Sequence, residues 1–218
     1  TNSRDAMVYR LLSQTVLAQL ADNLKTGPKK DETRENYNAR IQNQIASAVN
    51  IAVRATNADP ADSQNWANRG FIYQNLTTLV GGVEQAAINS YNESLARNPN
   101  DPTTYLRIGN IYLTLAENLQ RALGTRSQIE DNLNNAEENF KKAVALYNNY
   151  GQALYNLAAV YDRQGKVPDA IKQFEKLQAT NLRDPSIAFQ LGLLYYRNGQ
   201  KDNALRAWQQ AVLIFPNY

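Results

Sequence analysis

Two stretches of the chain superimpose without a gap at an offset of 34 residues: Leu157, Ala158, Tyr161, Gly165, Ala170 and Phe174 recur as Leu191, Gly192, Tyr195, Gly199, Ala204 and Trp208. A fixed period of this length means stacked supersecondary units, each too small to bury its apolar face alone. The residue types say what the unit is. Apolar residues return at helical spacing with no period-2 run between them, and Gly165 and Gly199 stand between two helical stretches, where a residue with positive φ ends the first helix. The unit is therefore a helical hairpin, and the expected fold class is all-α, without strands.

Two helices of one hairpin approach closely only where one of them carries a small residue. Gly70, Gly109, Ala158 and Gly192 supply it on first helices, and Ala87, Ala136, Ala170 and Ala204 on second helices. Large rings then fill the spaces between: Tyr73, Tyr112, Tyr161 and Tyr195 on first helices, Tyr91, Phe140, Phe174 and Trp208 on second helices. That spacing belongs to repeat packing and not to a base-stacking platform.

The same anchors mark the unit boundaries. Residues 151–184 and 185–218 are regular units, closed by Asp184-Pro185 and by Pro216. Residues 63–101 and 102–150 carry the anchors with insertions: the small residue of the first helix and the alanine of the second are 12 apart in the regular units, 17 apart in 63–101 and 27 apart in 102–150. The shorter insertion falls at Leu79-Val80-Gly81-Gly82-Val83, expected as apolar cover. The longer one continues the first helix from Leu113 to Leu123, stops at Gly124, and reopens with Ser127-x-x-Glu130 as a capping box. Residues 1–62 read as a lengthened, degenerate first hairpin: a helix from Met7 to Leu24, a break at Gly27-Pro28, and a second helix from Glu35 to Thr56 with Ala48, Ala52 and Ala55.

This period with these residue types resembles the tetratricopeptide repeat (TPR). The resemblance implies a right-handed α-α superhelix, here a solenoid of five helix pairs in one continuous array. It also implies a concave inner surface lined by positions 2, 6, 9 and 13 of each first helix. These are Gln64, Asn68, Phe71 and Asn75; Thr103, Arg107, Asn110 and Thr114; Gln152, Asn156, Ala159 and Arg163; Ser186, Gln190, Leu193 and Arg197. Amides donate and accept at once, which suits the backbone of an extended peptide, and arginine offers a forked donor to a carboxylate. The candidate peptide-binding set is accordingly Asn68, Phe71, Asn75, Arg107, Asn110, Asn156, Arg163, Gln190 and Arg197. The family's carboxylate clamp places lysine and asparagine in an order this chain does not follow: Asn68 and Asn156 match its asparagines and Arg107 its basic residue. A general peptide groove is the expectation that remains, with acidic partners favoured by Arg107, Arg163 and Arg197.

Composition narrows the chemistry. The chain has no cysteine and no histidine, which removes disulfides, thiolate nucleophiles, Ser-His triads and the common zinc motifs. No catalytic residue, metal or cofactor is assigned: Glu35, Glu137 and Glu138 have no partner that sequence can place, and Gly81-Gly82 lacks the Lys-Ser/Thr of a phosphate loop. Net charge is only +3, and Lys29-Lys30 and Lys141-Lys142 are the only adjacent basic pairs, so nucleic acid is not an expected partner. No apolar run reaches the ~20 residues that span a bilayer, so no membrane insertion is expected within this chain.

The function expected is a protein-interaction scaffold for a peptide or protein segment. Two alternatives stand beside it. One is self-assembly through the end faces, because Ala207, Val212, Ile214 and Phe215 on the last helix would expose an apolar patch, giving a homo-oligomer through the C-terminal end. The other rests on the similarity of degenerate, lengthened arrays to soluble tails of bacterial membrane proteins of envelope polysaccharide assembly. The chain begins at Thr1 without methionine and ends at Phe215-Pro216-Asn217-Tyr218, and is read as a piece of something longer.

Overall fold

Three aspartates open three of the helices in the same way. Asp62, Asp101 and Asp184 each accept a hydrogen bond from the backbone N–H two residues on, at Gln64 (2.8 Å), Thr103 (2.9 Å) and Ser186 (2.9 Å). Proline follows at the first helical position after Asp101 and Asp184, where its missing N–H costs nothing. The computed structural model describes residues 3–181 and 183–215, and these form ten α-helices with no strand among the described residues. The chain divides into two compact units, Thr1–Asn100 and Asp101–Tyr218.

The first unit holds α1 (Ser3–Thr26), α2 (Arg34–Ala58), α3 (Ser63–Leu76) and α4 (Glu84–Arg97). Leu20, Ile41, Ile45, Ala48, Ala52, Ile72 and Leu76 form its core. Gly70 on α3 faces Tyr91 on α4 with no room to spare: a Cβ there would lie 2.6 Å from Tyr91 Cδ1. The insertion after α3 behaves in two ways. Val80 and Val83 pack partly buried against the core, whereas Leu79 is exposed, so the apolar cover expected of all three is supplied by the valines alone.

The second unit holds α5 (Pro102–Arg121), α6 (Arg126–Leu146), α7 (Gly151–Arg163), α8 (Val167–Thr180), α9 (Pro185–Arg197) and α10 (Lys201–Ile214). The lengthened hairpin shows directly: α5 and α6 have 20 and 21 residues against 13 and 14 for α7 and α8. That is close to two extra turns per helix. Gly165 and Gly199 take φ of 75° and 77°, the left-handed conformation their place between helices requires.

The capping box of α6 sits two residues before its expected place. Thr125 is the N-cap and accepts from Gln128 N–H at 3.3 Å, while Gln128 Oε1 accepts in return from Thr125 N–H at 3.2 Å. Both Thr125-x-x-Gln128 and Ser127-x-x-Glu130 satisfy the pattern. The end of α5 decides between them: Gly124 N–H closes back on Leu119 C=O at 2.7 Å, leaving Thr125 as the first extended residue. The helix stop expected at Pro216 lies outside the described residues.

Candidate functional site

The first helices of the second unit, α5, α7 and α9, are tied to one another by polar side chains. Asn156 on α7 donates to Asn110 on α5 at 2.7 Å. Further along α7, Arg163 pairs with Glu117 of α5. Arg197 on α9 pairs in turn with Asp162 of α7 at 2.5 Å. Each arginine is thus held by an acid on the preceding first helix, so the polar residues form a ladder across the three helices. Gln190 lies half-buried on α9 beside this ladder in sequence register, Asn156 and Gln190 being 34 residues apart; Arg107 is half-buried on α5.

Apolar side chains share the strip. Tyr155 on α7 and Phe189, Leu193 and Tyr196 on α9 are 42%, 36%, 38% and 59% exposed, high values for residues that large. Tyr155 rests edge-on against Phe174, centroids 5.4 Å apart, and Tyr196 leans on Trp208 at 6.0 Å, so both rings are held in place from behind. Sequence reasoning had only Leu193 among these. Tyr155 and Phe189 occupy position 5 and Tyr196 position 12 of their helices, each next in sequence to a member of the stripe at 2, 6, 9 and 13. The helical wheel therefore contained them, and a strict choice of four positions left them out. Asp162, at position 12 of α7, was missed for the same reason, whereas Glu117 lies beyond position 13 on the lengthened part of α5.

The expected residues on α3 divide differently. Asn68 is buried, 5% exposed, and belongs to the interior of the first unit: its Nδ2 donates to Ser13 Oγ at 2.9 Å and its Oδ1 accepts from Gln14 at 2.7 Å. It is not a surface group, because α1 lies over it. Neighbouring contacts complete that seam, with Arg10 bonding Asp62 at 2.9 Å and Asn65 at 3.1 Å. Asn75 donates to Phe71 C=O at 2.8 Å, and Phe71 is half-buried.

A second feature lies at the lengthened hairpin. A cleft of about 470 Å³ is lined by Gly124, Ile129 and Leu133 together with Arg126, Glu130, Asn134, Arg163, Gln164 and Lys166. Next to it Glu137, 9% exposed, accepts from Lys141 at 2.5 Å and Lys166 at 2.8 Å, and both ammonium groups lie over the Tyr161 ring. Burial raises the Glu137 carboxyl, but the hydrogen bonds from Lys141, Lys166 and Gln164 outweigh it and hold the group down at about 2. A carboxylate that firmly ionised and doubly paired is a staple between α6 and the α7–α8 turn, not a proton-transfer group. The cleft cations Arg126, Arg163 and Lys166 are likewise matched to Glu130, Glu117 and Glu137. Among the described residues no group of three or more His, Cys, Asp or Glu is placed to hold a metal ion, and no helix is long and apolar enough to cross a membrane.

The tetratricopeptide-repeat family profile matches residues 130–181 and 155–218. Among curated proteins the chain is similar to the photosystem I assembly protein Ycf3 of Prochlorococcus marinus (strain MIT 9301), 26% identical over 110 residues, covering 43% of this chain and 64% of that protein. The chain thus spans somewhat under two thirds of the length of that relative. Among solved structures it is similar to MamA from Desulfovibrio magneticus RS-1, with a TM-score of 0.67, 16% identity and coverage of 100% and 98% of the two chains. It is also similar to YrrB, a TPR protein with an unusual peptide-binding site, with a TM-score of 0.58, 16% identity and coverage of 84% and 85%. At these identities the structural likenesses speak for the fold. The 34-residue period, the glycine-closed helix pairs and the profile match agree: residues 130–218 match the tetratricopeptide-repeat model, and the helix pairs have the fold of tetratricopeptide-repeat proteins.

Proposed function

We propose that the chain is a protein-interaction scaffold that holds an extended peptide or protein segment on the strip formed by α5, α7 and α9. The observation that carries this reading is the ladder of Asn110–Asn156, Glu117–Arg163 and Asp162–Arg197, which fixes three consecutive first helices side by side, with large apolar side chains exposed along the same strip. A peptide laid across such a strip meets fixed amides and rings rather than mobile ones, which lowers the entropic cost of binding. Similarity to an assembly protein, Ycf3, and to a TPR protein with a peptide-binding site, YrrB, supports the same reading. Benzoylphenylalanine placed at Gln190 should photo-crosslink to a bound polypeptide in an extract of the native cell, whereas the same group at exposed Lys172 on α8 should not. Equal labelling at the two positions would defeat the reading.

A second reading has its own observation. Leu205, Val212, Leu213 and Phe215 on and just after α10 are 56%, 52%, 82% and 51% exposed, while Ala207 is buried. That much exposed apolar surface on one helix supports association with another copy of the chain through this face. Light scattering over a concentration series tests it: a mass that rises with concentration and falls back in Leu213→Glu supports it, and a constant monomer mass removes it.

A further inference from the structure

We infer that the strip selects an uncharged, apolar segment rather than an acidic one, an inference that rests on the peptide-binding reading above and narrows its ligand. Arginine on an open groove would draw carboxylates, yet both strip arginines of α7 and α9 are already neutralised: Arg163 by Glu117 and Arg197 by Asp162. An acidic ligand would have to displace an internal carboxylate from each, exchanging one ion pair for another with little gain. The surface that remains for a ligand is of another kind. Tyr155, Phe189, Leu193 and Tyr196 expose apolar area that a ligand can remove from water, at about 25 cal/mol for each Å².

The geometry suits an extended chain. Phe189, Leu193 and Tyr196 stand at i, i+4 and i+7 on α9, about 6 and 10 Å along the axis. Alternate side chains of an extended segment repeat at about 7 Å, so alternate apolar residues of a ligand can reach successive members of this row. The amides of Asn156 and Gln190, one repeat apart, are of the donor–acceptor type that serves a peptide backbone whatever its side chains. Charge complementarity therefore points to a neutral strand with apolar residues at alternate positions.

Short random peptides displayed on phage, panned against the whole chain, test this. The expected result is enrichment of sequences rich in Leu, Ile, Phe, Tyr or Trp with no net negative charge. Synthetic versions should lose less than about twofold in affinity between low and roughly 0.5 M salt, because an uncharged ligand has no net charge for Arg163 or Arg197, both already paired, to attract. Phe189→Ser combined with Leu193→Ser should abolish the enrichment; both residues are exposed, and an unchanged circular-dichroism melt verifies that the variant is folded. Asp162→Asn, which unpairs Arg197, should shift selection toward acidic peptides. Acidic peptides winning on the unaltered protein would overturn the neutral-ligand inference while leaving peptide binding intact. No enrichment over a bare support would overturn both.

Discussion

A Cβ atom on Gly109 would stand 2.5 Å from Cε1 of Phe140, the ring on the opposite helix of its own hairpin. Phe140 is fully buried and has nowhere to go, so the absence of a side chain at position 109 sets the distance between α5 and α6. The relationship recurs between Gly70 and Tyr91 and between Gly192 and Trp208. Gly109→Ala should cost about 1 to 3 kcal/mol by overpacking, and Gly109→Leu more. A urea titration of Gly109→Ala alone and with Phe140→Leu checks the cause: the smaller side chain should return part of the loss, a non-additive result that two independent sites would not give.

Asn68 makes the opposite case, a polar residue whose partners lie inside. Replacing it by Ala leaves Ser13 Oγ, on a residue with no exposed surface, without its donor and Gln14 without its acceptor. The expected loss is about 1 to 3 kcal/mol. Asn156→Ala, which cuts a half-buried side-chain bond on the strip, should cost less than about 1 kcal/mol. Thermal melts of the two variants should separate them clearly; equal midpoints would mean that Asn68 is no more structural than Asn156.

Those two residues show how far the sequence could be read. Gly109, Ala136 and Phe140 have counterparts in each of the four hairpins from Ser63 onward, so the helix pairs and their close contacts were legible from spacing alone. Asn68 and Asn156 occupy the same repeat position, yet one is covered by α1 and the other is half-buried on the strip. Nothing periodic distinguishes them, because α1 belongs to the degenerate hairpin whose surface obeys no repeat pattern. The arginines were found but their partners were not. Glu117 lies on the inserted part of α5, and Asp162 holds a position where the next repeat has Tyr196. Pairing between repeats depends on which residues differ from unit to unit, and a period reports only those that agree.

The Glu137 staple predicts a pH dependence. Its carboxyl is held at about 2 when folded against an ordinary value of 4.5, so its contribution is complete above about pH 4.5 and disappears as pH falls through about 2. A shift of that size corresponds to on the order of 3 kcal/mol. Glu137→Gln should lower the urea midpoint at neutral pH, and the gap to the unaltered protein should close progressively over that acid range. A gap independent of pH would assign the loss to packing instead of to charge.

The last prediction concerns the tip of the long hairpin. Leu123 takes φ of 55°, the left-handed conformation that ends α5, while Gly124, a residue type that adopts it without strain elsewhere in the chain's turns, comes one residue too late. A Cβ on Gly124 would lie 3.1 Å from the Leu119 carbonyl oxygen, so the glycine is needed where it is to let that carbonyl accept the bond that closes the helix. The leucine is left with the strained torsion and is 93% exposed, so its side chain contributes almost no packing. For an L residue the left-handed region costs about 1 to 2 kcal/mol, and glycine gives back about 0.5 to 1 kcal/mol through the freedom of the unfolded chain. Leu123→Gly should therefore raise stability by up to about 1 kcal/mol. Leu123→Asn, which tolerates the same torsion, should raise it by less. Chemical denaturation of the three proteins gives the order, and a loss of stability in Leu123→Gly would mean that the exposed leucine makes a contact in solution that outweighs its strain.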